Sequence, residues 1–75
     1  MSTTNMAADK YSVEIAWGSE SGMWIAICPE LEGISGFGFT RAEAADEIGV
    51  AIKLALETYT AEGWEIPEPN VWEQE

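Results

Sequence analysis

Histidine is absent from the 75 residues, which excludes Ser-His and Cys-His nucleophilic pairs, imidazole proton shuttles and histidine metal sites together. The single cysteine, Cys28, cannot close an internal disulfide, and with no Cys-x-x-Cys pair a structural zinc site cannot be assembled. Basic residues number only three against fourteen acidic ones, for a net charge of −11. Such a surface repels phosphate backbones, so no direct nucleic-acid partner is expected. No apolar run approaches the roughly 20 residues that cross a bilayer, and Met1 to Met6 lacks the basic start and apolar stretch of a secretory leader. A cytoplasmic protein without membrane contact is the expectation.

What is present suits one small globular domain. A chain of this size buries only about 60% of the surface its unfolded form exposes, which leaves a stability of a few kcal/mol and makes a homo-oligomer advantageous. Ordinary apolar content and four tryptophans argue for a packed core despite the charge. That charge has two readings, solubility and steering toward a basic partner.

Residues 1–9 are small and polar without periodicity and read as a flexible lead-in to a single domain over 10–75. Tyr11, Val13, Ile15 and Trp17 alternate with Ser12, Glu14, Ala16 and Gly18, the period-two pattern of a first strand with one buried face. Gly18 to Gly22 forms a hairpin loop into a second, antiparallel strand, Met23 to Cys28. Pro29 cannot donate to a ladder and ends that pairing, and Gly33 takes the chain through a turn into a third strand, Ile34 to Phe39. There, Gly36 and Gly38 leave one strip of the strand nearly bare, which permits a close backbone approach or a bulge.

Thr40-Arg41-Ala42-Glu43 fits a capping box, with the threonine hydroxyl accepting from a first-turn amide and Glu43 reaching back to the amide of Thr40. A helix therefore starts at Arg41. Ala44, Ala45, Ile48, Ala51, Ile52, Ala55, Leu56 and Tyr59 share one broad face, with Glu43, Asp46, Lys53 and Glu57 opposite, as a helix resting on a sheet requires. Gly63 is placed to stop it. Pro67 and Pro69 then force an extended tail, in which Val71 and Trp72 form either a short fourth strand or a docked end. The fold class is α+β: a three-stranded antiparallel sheet in β-β-β-α order with one long helix packed on one face.

Pro29-Glu30-Leu31-Glu32-Gly33, Gly38-Phe39-Thr40-Arg41-Ala42-Glu43-Ala44 and Ile66-Pro67-Glu68-Pro69 together resemble the HicB-like antitoxin family, whose usual pattern is Pro-acid-Leu-Pro-Gly, then Gly-Asp-Thr, then Glu-Ala. The resemblance covers roughly Tyr11 to Pro69. Glu32 stands where that family commonly has proline, and Phe39 where it commonly has an acidic residue. The resemblance implies a truncated RNase H-like fold and an antitoxin that folds against a small basic toxin ribonuclease of the HicA type, hiding its catalytic histidine. Full-length relatives usually add a helix-turn-helix or ribbon-helix-helix segment for operator DNA, and the present sequence carries no such segment into its 75 residues.

Little else in the chain offers chemistry. Gly33, Gly36 and Gly38 have the spacing Gly-x-x-Gly-x-Gly with no Lys-Ser/Thr behind it and acidic neighbours, so they read as backbone devices and not as a phosphate loop. An RNase H-like fold invites the thought that Glu14, Glu30, Glu43 and Asp46 gather magnesium for a degenerate nuclease. The strand and helix patterns instead disperse these carboxylates, so neither catalytic nor metal-binding residues nor a cofactor are expected. Cys28 lacks a cationic neighbour and reads as a packing residue.

Binding is the better use of what remains. Trp24 lies on the strand face away from Ile25 and Ile27, where it is covered by the tail or offered to a partner. Val50 and Leu54 stack on the helix side away from the main stripe, with Ala61 near the same azimuth, either as scattered surface hydrophobes or as an interface. The expected function is occlusion of a basic toxin, with Glu14, Glu30 and Glu32 meeting basic residues and Trp24, Val50 and Leu54 making apolar contact. The alternative is a stand-alone binding or oligomerisation module without a toxin.

Overall fold

A computed structural model describes residues 9–72. Three strands, β1 (Glu14–Gly18), β2 (Met23–Ile27) and β3 (Ser35–Gly38), form an antiparallel sheet in the order β1-β2-β3, and one 22-residue helix, α1 (Arg41–Glu62), packs on one face of it. The expected α+β architecture and element order are those observed. Apart from Asp9, the lead-in lies outside the described residues.

Pairing places whole rows of side chains on one face or the other, because partners across an antiparallel ladder point the same way. Trp17, Trp24 and Gly38 form one row, and Ile15, Ala26 and Gly36 the next. Both rows face α1, and both taper from a large residue on β1 to a glycine on β3. A Cβ added at Gly36 would stand 2.6 Å from the Ile48 amide nitrogen, and one at Gly38 only 2.5 Å from that of Ala44. The bare strip seen in the sequence is thus a seat for the helix backbone, which lies directly on β3.

Ala44, Ile48, Ile52 and Leu56 are buried along α1 at helical spacing, and they meet Ala26, Cys28, Leu31 and Tyr11 in the core. Ala45, assigned to the same stripe, is exposed instead. Its azimuth falls just past the edge of a helix that contacts the sheet along one narrow line. Because α1 sits over β3, the far edge of the sheet is thinly covered: Val13 and Trp17 are exposed, and regular pairing begins at Glu14 and not at Tyr11. Tyr11 is nonetheless buried, and its hydroxyl donates to the Pro67 carbonyl.

Both ends of α1 are capped by the residues the sequence singled out. Glu43 N–H donates to Thr40 Oγ1 at 3.1 Å. The Glu43 carboxylate reaches one residue further back than the capping box anticipates and accepts from the Phe39 amide at 2.7 Å, a group left unpaired because β3 stops at Gly38. At the other end Gly63 is left-handed, with φ of 74°, and donates to the Thr60 carbonyl. Thr40→Ala is expected to cost about 1 kcal/mol of stability, the usual loss for an N-cap hydroxyl. Chemical denaturation checks this, and an unchanged midpoint would show that the hydroxyl contributes nothing.

After Gly63 the chain runs through residues 64–72 without helix or strand, so Val71 and Trp72 add no fourth strand. Trp64 stacks edge-on against Tyr59, with ring centroids 5.6 Å apart. Tyr11 then holds the tail at Pro67, and Glu30 holds it at Asn70.

Candidate functional site

The residues singled out for binding do not gather in one place. Glu30 is engaged within the chain. Its carboxylate accepts from the Ser12 amide (3.0 Å), the Ser12 hydroxyl (2.7 Å) and the Asn70 amide (2.7 Å), clasping the approach to β1 and the C-terminal tail to the β2–β3 loop. Partial desolvation by itself would raise the pKa of this carboxyl. The donated hydrogen bonds from Asn70 and Ser12 outweigh it and hold the group at about 2, against an ordinary 4.5. Glu30 is a fastener, and its negative charge is already matched by N–H and O–H dipoles.

Trp24 turns toward the helix. It packs against the core, lies 5.5 Å from the Trp17 ring in an edge-on pair, and carries the Arg41 guanidinium 4.8 Å above its own ring. The face away from Ile25 and Ile27 is therefore the covered one, and what covers Trp24 is the start of α1 and not the tail. Glu14 and Glu32 are exposed. Val50 and Leu54 are also exposed, at 58% and 56%, on the outer side of α1.

The opposite face of the sheet carries a surface that reading the residues strand by strand did not single out. Ala16, Ile25 and Phe37 form a row across all three strands, and Glu14, Ile27 and Ser35 form the next. Ile27 is 44% exposed and Phe37 46%. A hollow of about 320 Å³ over β1 and β2 is bounded by Glu14, Ala16, Ile25 and Ile27, among others. A second, of about 310 Å³, lies at the β3 edge between Met23, Phe37 and Phe39 on one side and Glu43, Asp46 and Glu47 on the other. The signal that predicts this face was present in Gly36 and Gly38: if the helix rests on the glycines, the phenylalanine between them, Phe37, must point outward.

Among the described residues no three histidine, cysteine, aspartate or glutamate side chains come close enough to hold a metal ion. Glu14 is on the open sheet face, Glu30 is in the clasp, and Glu43 caps α1, so three of the four carboxylates considered for magnesium serve separate ends, and Asp46 borders a hollow with Glu43 at the β3 edge. Burial pushes the Cys28 thiol up, the neighbouring Glu30 charge adds to this, and backbone hydrogen bonds at Leu31 and Glu30 oppose it. The net rise keeps the sulfur protonated and poorly nucleophilic. No helix among the described residues is long and apolar enough to cross a membrane.

No family model matches the chain, and no curated protein or solved structure matches it either.

Proposed function

We propose that the chain is an antitoxin-type protein, similar to the HicB-like family, that binds a small basic toxin ribonuclease of the HicA type and works by occlusion without turnover. The observation that carries this reading is the pairing of exposed apolar side chains with a strongly acidic surface, −11 over 75 residues. Acidic side chains speed encounter with a basic protein, and desolvated apolar contacts then set its residence time. Dispersed carboxylates and a buried, protonated thiol suit a binder better than a catalyst. In this reading the protein acts in the cytoplasm, where a ribonuclease toxin meets its RNA.

Co-expression tests the proposal. A short, strongly basic reading frame with a lone histidine, encoded beside this gene, is expected to arrest growth when induced alone and to be neutralised when this chain is present. If arrest persists with both proteins made at equal levels, the antitoxin reading fails.

A second reading, an oligomerisation or adaptor module, draws on Val50 and Leu54, which stand one helical turn apart on the side of α1 away from the sheet. Under it the double variant Val50→Gln, Leu54→Gln would remain monomeric at concentrations where the parent chain associates. Sedimentation velocity distinguishes the two.

A further inference from the structure

The open face of the sheet is apolar at its centre and acidic around its margin, and none of the described strands or the helix lies over it. Ala16, Ile25 and Phe37 cross the three strands in register, with Ile27 beside them. Glu14 is the cross-strand partner of Ile27 on one side. Glu32 shares a hollow with Ile27 at the end of β2. Asp46 and Glu47 share one with Phe37 and Phe39 at the β3 edge. Carboxylates thus lie on three sides of the apolar rows.

The three basic side chains are elsewhere. Arg41 sits over Trp24, on the covered face of the sheet. Lys53 is on α1, and Lys10 borders the tail at Asn70 and Trp72. No lysine or arginine among the described residues therefore offsets the acidic margin of the open face.

We infer that this open face, with Ile25, Ile27 and Phe37 at its centre, is the docking surface for a partner that presents apolar side chains flanked by lysine or arginine. This rests on the proposed function and assigns it a place. Charge decides between the possible occupants. A second copy laid face to face would bring one acidic margin, with Glu14 and Glu32, against the other, with no lysine or arginine of the described residues on either face to separate them, whereas a basic partner neutralises both. Val50 and Leu54 lie on the far side of α1 and form a separate, two-residue surface. The apolar rows supply the desolvated contact and the carboxylate margin supplies attraction, so the two should separate kinetically: margin charges act on association, central side chains on dissociation.

The test uses the whole chain and a short peptide alternating leucine with lysine as probe, with leucine–glutamate and leucine–serine peptides as controls. Binding of the lysine peptide is expected to perturb the NMR resonances of Ala16, Ile25, Ile27 and Phe37. Phe37→Gln and, independently, Ile27→Gln are expected to weaken it at least tenfold, mainly through faster dissociation, with the variants' melting curves confirming that they fold. Glu14→Gln with Glu47→Gln is expected to slow association severalfold and flatten its salt dependence, and Val50→Gln should leave affinity within twofold.

Perturbations centred on Val50 and Leu54 would overturn the assignment, as would equal binding of the glutamate peptide. So would a dimer of the chain alone that Ile27→Gln dissociates, because the face would then belong to a second copy. The two proposals fail separately. Sheet-face binding without rescue in the co-expression assay removes the toxin and keeps the surface; rescue that Phe37→Gln and Ile27→Gln leave intact keeps the toxin and removes the surface.

Discussion

Gly38→Ala is expected to lower the unfolding free energy by about 1–3 kcal/mol, the usual cost of forcing an extra carbon into a packed contact. The added Cβ would lie 2.5 Å from the Ala44 nitrogen and 2.5 Å from the Glu43 Cβ. Backbone cannot swing aside as a flexible side chain does, so α1 must lift from β3 and the buried row Ala44, Ile48, Ile52 and Leu56 loosens with it. Gly36→Ala should cost a similar amount, since its Cβ would meet the Ile48 nitrogen at 2.6 Å. For a domain of this size either loss is a large share of the total stability. Gly49 supplies the control: it lies in the same helix, yet a Cβ there meets nothing within 4 Å. Gly49→Ala should therefore stabilise by about 0.5–1 kcal/mol, as alanine does in place of an unconstrained helical glycine. Urea midpoints of the three variants check the set, and a Gly38→Ala protein as stable as its parent would disprove the backbone seat.

Glu30→Gln is expected to cost about 1–2 kcal/mol at pH 7, and the cost should vanish in acid. Hydrogen bonds to a charged group are worth about 1.5–3 kcal/mol, and partial exposure of the clasp discounts the sum. The sign follows from the depressed pKa, about 2 in the folded chain against an ordinary 4.5. The carboxylate contributes its full stabilisation above about pH 4.5 and loses it as pH falls toward 2. The difference between parent and variant isolates this effect from the other carboxylates, whose protonation also relieves the repulsion of a net charge of −11. Amide exchange should quicken at Ser12 and Asn70 in the variant, because both amides lose a charged acceptor. A gap between the two proteins that persists unchanged at pH 2.5 would rule out the ionised clasp.

These two effects also reveal something about how the candidate surface is made. The glycine seat places α1 on one side of the sheet and leaves Ile25, Ile27 and Phe37 on the other. The Glu30 clasp ties down residues that would otherwise be free to swing: Ser12 before β1 and Asn70 in the tail. A sheet held at both ends with one apolar side open is a preformed platform, and a preformed platform loses less entropy on binding than one that must first be ordered.

Local patterns were enough for the order of the elements. The threonine that caps α1, the glycine that ends it, the buried stripe of the helix and the hairpin between the first two strands are each written within a few consecutive residues, where spacing alone carries the physics. The same is true of the chemistry set aside: no histidine, one thiol, few cations.

The open side of the sheet was not legible in that way. Every position from Met23 to Cys28 is apolar, so period-two alternation cannot choose which side of β2 is buried. The choice is made only once register sets Ala26 beside Gly36, and Trp24 beside Gly38, giving one face shallow enough on the β3 side for a helix backbone. The role of Glu30 was hidden for a related reason, since its partners are 18 and 40 residues away and no local pattern reports them. Sequence by itself determined what each segment becomes; the tertiary structure decided which surfaces remain open, because that depends on how closely two backbones can approach.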